Sequence, residues 1–498
     1  MSKINENKVT GPDGTPGKLL KLCAKELTPV FTILFQASLD QGIVPEDWKL
    51  ANIVPLFKKG DKKNPENYRP VSLTSIPCKL LEHIVHSSIM DHLDKHKILS
   101  DVQHGFRQSR SCESQLITTT HDFVNCLDNK GQIDAILLDF SKAFDKVDHA
   151  GLLCKLDHYG IRNSLHFWIS SFLSNRTQKV LLEGHDSTAL PVLSGVPQGT
   201  VLGPLLFLIY INDMGENLTE GTKLRLFADD SLLYREIKTK KDQDILQNDL
   251  DKLQKWEKEW SMHFHPDKCQ VLKITNKLNK GEGTYTIHNT LLKETPAAKY
   301  LGITIDSKLK WNVHVDSTYN KANNTLAFLR RHLTSCPPAI KERCFKTYVR
   351  PILEYGSSVW DPYLKKDIEK LEKIQRRAAR FVKNDYRYTS SPTQLMDGLG
   401  WVPLAERRAQ AKVKVLYKAN NNMLHIPLNH LVLNKSSTRR AGENYLLPRS
   451  NTDTHLHSFY PNTLRLWNFL PKHIKSAATL ESFTNELDNV KLRCSYSY

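Results

Sequence analysis

The sequence predicts an α+β chain: about 310 residues of interleaved strands and helices, then a helical remainder. Three observations carry this. Short apolar, β-prone runs occur at residues 48–57, 135–140, 224–234, 271–274 and 299–305. Between them apolar residues recur at helical spacing, as in Leu246, Leu250, Leu253, Trp256 and Trp260. Beyond Trp311 the character changes to helices alone.

A chain of 498 residues with 40% hydrophobic side chains has room for two to four domains with buried cores, which excludes a disordered protein. Its 70 Lys and Arg against 53 Asp and Glu leave a formal charge of +17, suited to a polyanion such as nucleic acid, although solvated basic faces give the same excess. The nine cysteines are scattered and never spaced Cys-x-x-Cys, so no zinc finger or disulfide framework is expected and a reducing, intracellular compartment is. The polar N-terminus lacks a signal peptide. The longest apolar run, residues 201–211, is broken by Gly203 and Pro204 and is too short for a bilayer, so a soluble protein without a membrane partner is expected.

Residues 1–20 read as extended, with turns at Gly11-Pro-Asp-Gly14 before an amphipathic helix through Leu19, Leu20 and Leu22. Strands at 48–57 and 67–73 flank the basic loop Lys58-Lys-Gly-Asp-Lys-Lys63. This arrangement projects Lys58, Lys59 and Arg69 toward one place, which suits a triphosphate because Arg forks onto phosphate oxygens and Lys acts as a point charge. A solvated lysine loop is the plain alternative. Helical periodicity over 78–99 gives way to the basic loop His104-Gly-Phe-Arg-Gln-Ser-Arg110 and a helix near 112–127.

The run Ala135-Ile-Leu-Leu-Asp-Phe140 reads as a buried strand with a carboxylate at its mouth, where core meets cleft. Ser194-Gly-Val-Pro-Gln-Gly-Thr200 is a glycine-rich turn opening an apolar helix, whose first amides can approach a nucleotide closely. Residues 224–234 read as a hairpin with Asp229 and Asp230 at its tip. Ionised aspartates beside a core are costly unless a cation neutralises them. Hard oxygen ligands select magnesium or manganese over zinc, but one hairpin supplies too few, so a further carboxylate is required from elsewhere. The plain alternative is an exposed Asp-Asp turn. After strands at 271–274 and 299–305, residues 365–387 place nine Lys or Arg against four acids on a helix with an apolar stripe. Such a helix packs on one face and tracks phosphates with the other, or is an ordinary charged surface helix. A Ser, Thr and Asn-rich linker is expected from about 435 to Thr454, then a helix near 479–490.

Taken in order, Gly11-Pro-Asp-Gly14, Asn67-Tyr-Arg-Pro70, His104-Gly-Phe-Arg107, Leu138-Asp-Phe-Ser-Lys-Ala-Phe-Asp145, Ser194 to Gly199, Phe227-Ala-Asp-Asp230 and Tyr300-Leu-Gly302 form a collinear series. The series resembles the reverse transcriptases of non-LTR, LINE-type retrotransposons, nearest to the jockey-like elements. The resemblance runs from Gly11 to about Trp311 and more loosely beyond. It implies a right-hand polymerase fold: fingers over 1–130, a palm with an antiparallel sheet over 131–310, a helical thumb and connection over 311–435, and a linker with a C-terminal tail over 436–498.

By the same resemblance Asp139, Asp229 and Asp230 are the metal-binding catalytic carboxylates for two magnesium ions, with manganese as substitute. Lys268 matches a basic residue that protonates pyrophosphate. Lys59, Arg69, Phe140, Phe144, Gln198 and Gly199 form the nucleotide site, with Phe144 as the steric gate against a ribose 2′-hydroxyl; Lys58 competes with Lys59 for its role. Arg107, Arg376, Arg377 and Arg380 fall to the nucleic-acid backbone. The implied partners are an RNA template, a DNA primer and dNTPs. Complete elements of this kind also encode an endonuclease, which finds no match here, so a 5′-truncated or partial product is expected. A catalytically silent nucleic-acid-binding remnant and a bacterial-type intron maturase are the rival readings; loss of an aspartate would mark the first, a different tail the second.

Overall fold

In the computed structural model the described residues are 1–278, 281, 283–434 and 444–492. The central sheet runs in the order Lys293–Glu294, Gln270–Thr275, Gln132–Leu138, Asp230–Glu236, Thr222–Phe227. Gln132–Leu138 lies in the middle, antiparallel to both neighbours, with Leu138 opposite Ser231 and Leu137 opposite Gln270. Strand alternation sends successive side chains to opposite faces. Ile136, Leu138, Leu233 and Val271 join one core, while Ile133, Ala135, Leu232 and Leu272 join another. A strand buried on both faces must be apolar almost throughout, which is why its sequence is a continuous run.

Helices cover both faces. On one side Ile76–Lys95, Leu202–Tyr210 and Lys240–Glu259 contribute Leu81, Val85, Leu206 and Leu250. On the other, Cys112–Asp128 contributes Leu116 and Phe123, backed by Asn312–His332 and Lys365–Lys383. The first of these begins at a reciprocal cap between Ser111 and Ser114. A third core joins Leu404–Asn420 to Phe459–Phe469 and Leu480–Leu487 through Tyr417, Trp467 and Phe483. Helices on both faces of the central sheet are the arrangement expected of a right-hand polymerase fold, and that sheet forms the floor of the cleft described below.

A second sheet stands over that floor, in the order Tyr68–Leu73, Leu50–Phe57, Thr177–Leu182, His185–Asp186. Its first two strands form the expected hairpin, but Leu50–Phe57 also pairs in parallel with Thr177–Leu182, with Leu50 opposite Thr177. One further expectation is corrected. Residues 299–305 are not one strand but the second half of a hairpin, Ala297–Tyr300 with Ile303–Asp306, because Leu301 and Gly302 both take positive φ and reverse the chain. Part of the expected linker, residues 435–443, lies outside the described residues. Among the described residues no helix is long and apolar enough to cross a membrane.

Candidate active site

Strand Gln132–Leu138 hands its chain to Asp139 at the sheet edge where the hairpin Thr222–Phe227 and Asp230–Glu236 turns. Phe227 pairs with Asp230, leaving Ala228 and Asp229 as a two-residue turn. Asp139 and Asp229, 90 positions apart in sequence, thereby line one cavity of about 1220 Å³ between the two sheets. Phe140, Phe144, Gln198, Lys59, Arg69 and Lys268 line it too.

Asp139 is fixed through its backbone, whose carbonyl accepts from the His265 amide at 2.8 Å. The same loop brings Lys268 Nζ to 3.7 Å from Asp139 Oδ1. Burial raises the Asp229 carboxyl above its ordinary range and the charge of Asp139 adds to this, while Arg69 and Lys58 pull the other way. The Asp230 carboxyl is pushed up to about 6 by burial and then by the charges of Asp229 and Asp139. Asp230 does not line the cavity; its charge is felt by Tyr300 and Tyr355 instead. Asp229 sits in the turn, and Asp230 opens the strand that follows it.

Among the described residues no three His, Cys, Asp or Glu side chains converge closely enough to cage a cation. The donor set fits a divalent ion through Asp139 and Asp229, two hard carboxylates whose mutual repulsion a cation would relieve, with Asp230 as a neighbouring charge.

The other residues divide. Phe144 is partly buried, stacks on Phe207 at 4.3 Å between ring centroids and lines the cavity. The Phe140 ring is 6% exposed and stacked on Phe264 at 4.5 Å, so this side chain belongs mainly to the core. Gln198 donates from Nε2 to Asp145 Oδ1 at 3.0 Å, and its carbonyl accepts from the Ser72 amide at 2.7 Å. Gly199 has φ 115°, and a Cβ there would stand 2.6 Å from the Ser72 carbonyl oxygen; only glycine lets this loop meet the second sheet. Both Lys58 and Lys59 line the cavity, but it is the Lys58 charge that reaches Asp229 and Asp230.

The four arginines expected at a nucleic-acid backbone are engaged within the chain. Arg107 is turned inward, donating to the carbonyls of Leu99 at 3.3 Å and Ser100 at 2.8 Å. Arg376 pairs with Glu369, Arg377 bonds Tyr319 and Asn323, and Arg380 donates to the carbonyls of Arg387 and Ser390. None of them lines the cavity. Three residues in or around the site were not singled out from sequence. His265 lines the cavity beside Lys268. Fully buried Glu82 accepts at Oε2 from the amides of Val201 and Leu202, stabilising the start of the helix behind Gly199. Gln103 bonds the turn that carries Asp229. A His in the His-Pro-Asp-Lys run was a readable signal; Glu82 sits in a segment with no distinguishing pattern, and Gln103 lies just ahead of the His104-Gly-Phe-Arg107 run.

Residues 58–305 match the family model described as reverse transcriptase (RNA-dependent DNA polymerase). The chain is 28% identical over 393 residues to the RNA-directed DNA polymerase from mobile element jockey of Drosophila melanogaster, covering 76% of this chain and 42% of that protein. It is 29% identical over 408 residues to the probable RNA-directed DNA polymerase from transposon BS of the same species, covering 78% and 44%. The chain thus spans less than half the length of the curated relatives it matches. Among solved structures, apo telomerase from Candida tropicalis aligns over 78% of this chain and 67% of that chain at 13% identity, with a TM-score of 0.42, too low to carry any inference.

Proposed function

We propose, from the match of residues 58–305 to the reverse transcriptase family model, that this chain is an RNA-directed DNA polymerase of the non-LTR retrotransposon type, adding dNTPs to a DNA 3′ end on an RNA template. The observation that carries the reading is the meeting of Asp139 and Asp229 in a cavity whose facing sheet supplies Lys58 and Arg69. The family generally uses divalent ions, and two hard carboxylate donors favour magnesium. Such an ion, when held by Asp139 and Asp229, supplies Lewis-acid stabilisation of the attacking and leaving oxygens.

The chain's own residues do the rest. Lys58 and Arg69 bind the triphosphate and orient its α-phosphorus; Arg offers a fork and Lys a point charge. The primer 3′-hydroxyl gives up its proton to solvent, and its oxygen forms a bond to that phosphorus as the bond to pyrophosphate breaks. Lys268 Nζ, beside Asp139, delivers a proton to the departing pyrophosphate oxygen. The Phe144 ring occupies the space a ribose 2′-hydroxyl needs and so favours deoxynucleotides. Gln198 and Gly199 set the backbone that the incoming nucleotide packs against.

Primer extension on a primed RNA template tests the proposal. Extension with dNTPs and magnesium, absent with NTPs alone or with chelator, is the expected result. Template binding without extension under any of these conditions would overturn it in favour of a silent binding remnant.

A further inference from the structure

We propose that Gln103 is a positioning residue of the active site, its side-chain amide clamping the turn that presents Asp229. This rests on the polymerase reading above but draws on a separate set of contacts. Gln103 is 3% exposed. Its Oε1 accepts from the Gly105 amide at 2.7 Å and the Ala228 amide at 2.9 Å, while its Nε2 donates to the Ala228 carbonyl at 3.4 Å. One side chain therefore satisfies both backbone polar groups of the residue preceding Asp229.

The turn needs holding. Ala228 has φ 54°, a left-handed conformation that a residue with a Cβ keeps only when its surroundings over-determine it. The surroundings here are the loop before Cys112–Asp128. Leu226 donates to the Val102 carbonyl at 2.9 Å and His104 to the Leu226 carbonyl at 2.8 Å, so residues 102–104 extend the sheet by a short parallel bridge. A Cβ on Gly105 would lie 2.4 Å from the Ala228 nitrogen, so that position admits only glycine. The run around His104-Gly-Phe-Arg thus serves the carboxylate turn: Gln103 grips it, Gly105 makes room, and Arg107 anchors the loop's own carbonyls.

The decisive variants are Gln103→Met, which keeps the volume and removes the amide, and Ala228→Gly, which removes the need for a clamp because glycine takes positive φ freely. Gln103→Met is expected to lower kcat for primer extension about 10- to 100-fold with the dNTP KM within about 2-fold, the scale of a misplaced catalytic group. Ala228→Gly added to it is expected to restore about 10-fold, a recovery that a packing defect would not show. Hydrogen exchange on Gln103→Met should show protection lost at the Gly105 and Ala228 amides and retained across Ile76–Lys95. An unchanged kcat, or a loss that Ala228→Gly leaves unrepaired, would overturn the clamp. If the unmodified chain extends no primed template, the polymerase reading fails, and exchange at those two amides still decides whether Gln103 holds the turn.

Discussion

Asp230 carries the most informative charge in the molecule. Its carboxyl is pushed up from an ordinary 3.8 to about 6, so the folded chain holds this proton more tightly than the unfolded chain does. Protonation therefore favours the fold: the contribution is complete below about pH 4 and lost as pH rises through about 6. In chelator, Asp230→Asn is expected to gain stability relative to the parent as pH is raised across this window, and added magnesium should narrow the gap. Urea midpoints at pH 4.5 and 7.5 measure it. Asp139→Asn and Asp229→Asn act on chemistry instead. Each is expected to lower extension by about three orders of magnitude, equivalent to roughly 4 kcal/mol, while RNA binding by filter retention is unchanged. The lysine pair separates too: Lys58→Ala should raise the dNTP KM more than Lys59→Ala, because of the two it is the Lys58 charge that acts on Asp229 and Asp230.

At the scale of elements, the loop ending at Gly199 shows how position depends on a missing side chain. Gly199→Ala is expected to reduce extension by at least about tenfold, since the added Cβ meets the Ser72 carbonyl and pushes the second sheet off the loop. Near-parental kinetics would show that this seam yields. The central strand and the Asp-Asp hairpin were legible in the sequence because burial on two faces forces an uninterrupted apolar run. Thr177–Leu182 was not: its burial alternates along the strand but its hydropathy does not, running Thr-Gln-Lys then Val-Leu-Leu, and its partner lies about 125 positions earlier. The hairpin at 297–306 was read as one strand because Leu301, which turns the chain, looks like a strand residue. The intrachain contacts of the arginines were not legible for a different reason. Side-chain charge is visible in sequence, but whether carbonyls within reach consume it is decided only by the fold.

Across the whole molecule, the C-terminal region is latched to the helix Cys112–Asp128. The Asp128 carboxylate, at the end of Cys112–Asp128, accepts from the amides of Asn451 at 3.0 Å and Thr452 at 2.8 Å, and from the Thr452 hydroxyl at 2.8 Å. Hydrogen bonds to a charged group are worth about 1.5–3 kcal/mol, so Asp128→Ala should destabilise the chain by that order and speed protease cleavage near residue 451. The parallel pairing of Leu50–Phe57 with Thr177–Leu182 reaches further, into synthesis. A nascent chain emerging from the ribosome carries Leu50–Phe57 for well over a hundred residues before its neighbour exists, with one edge open to any passing strand. Translation speed through that interval, or a chaperone waiting on it, sets how much of the polypeptide escapes aggregation, and premature termination before residue 177 leaves a sticky fragment.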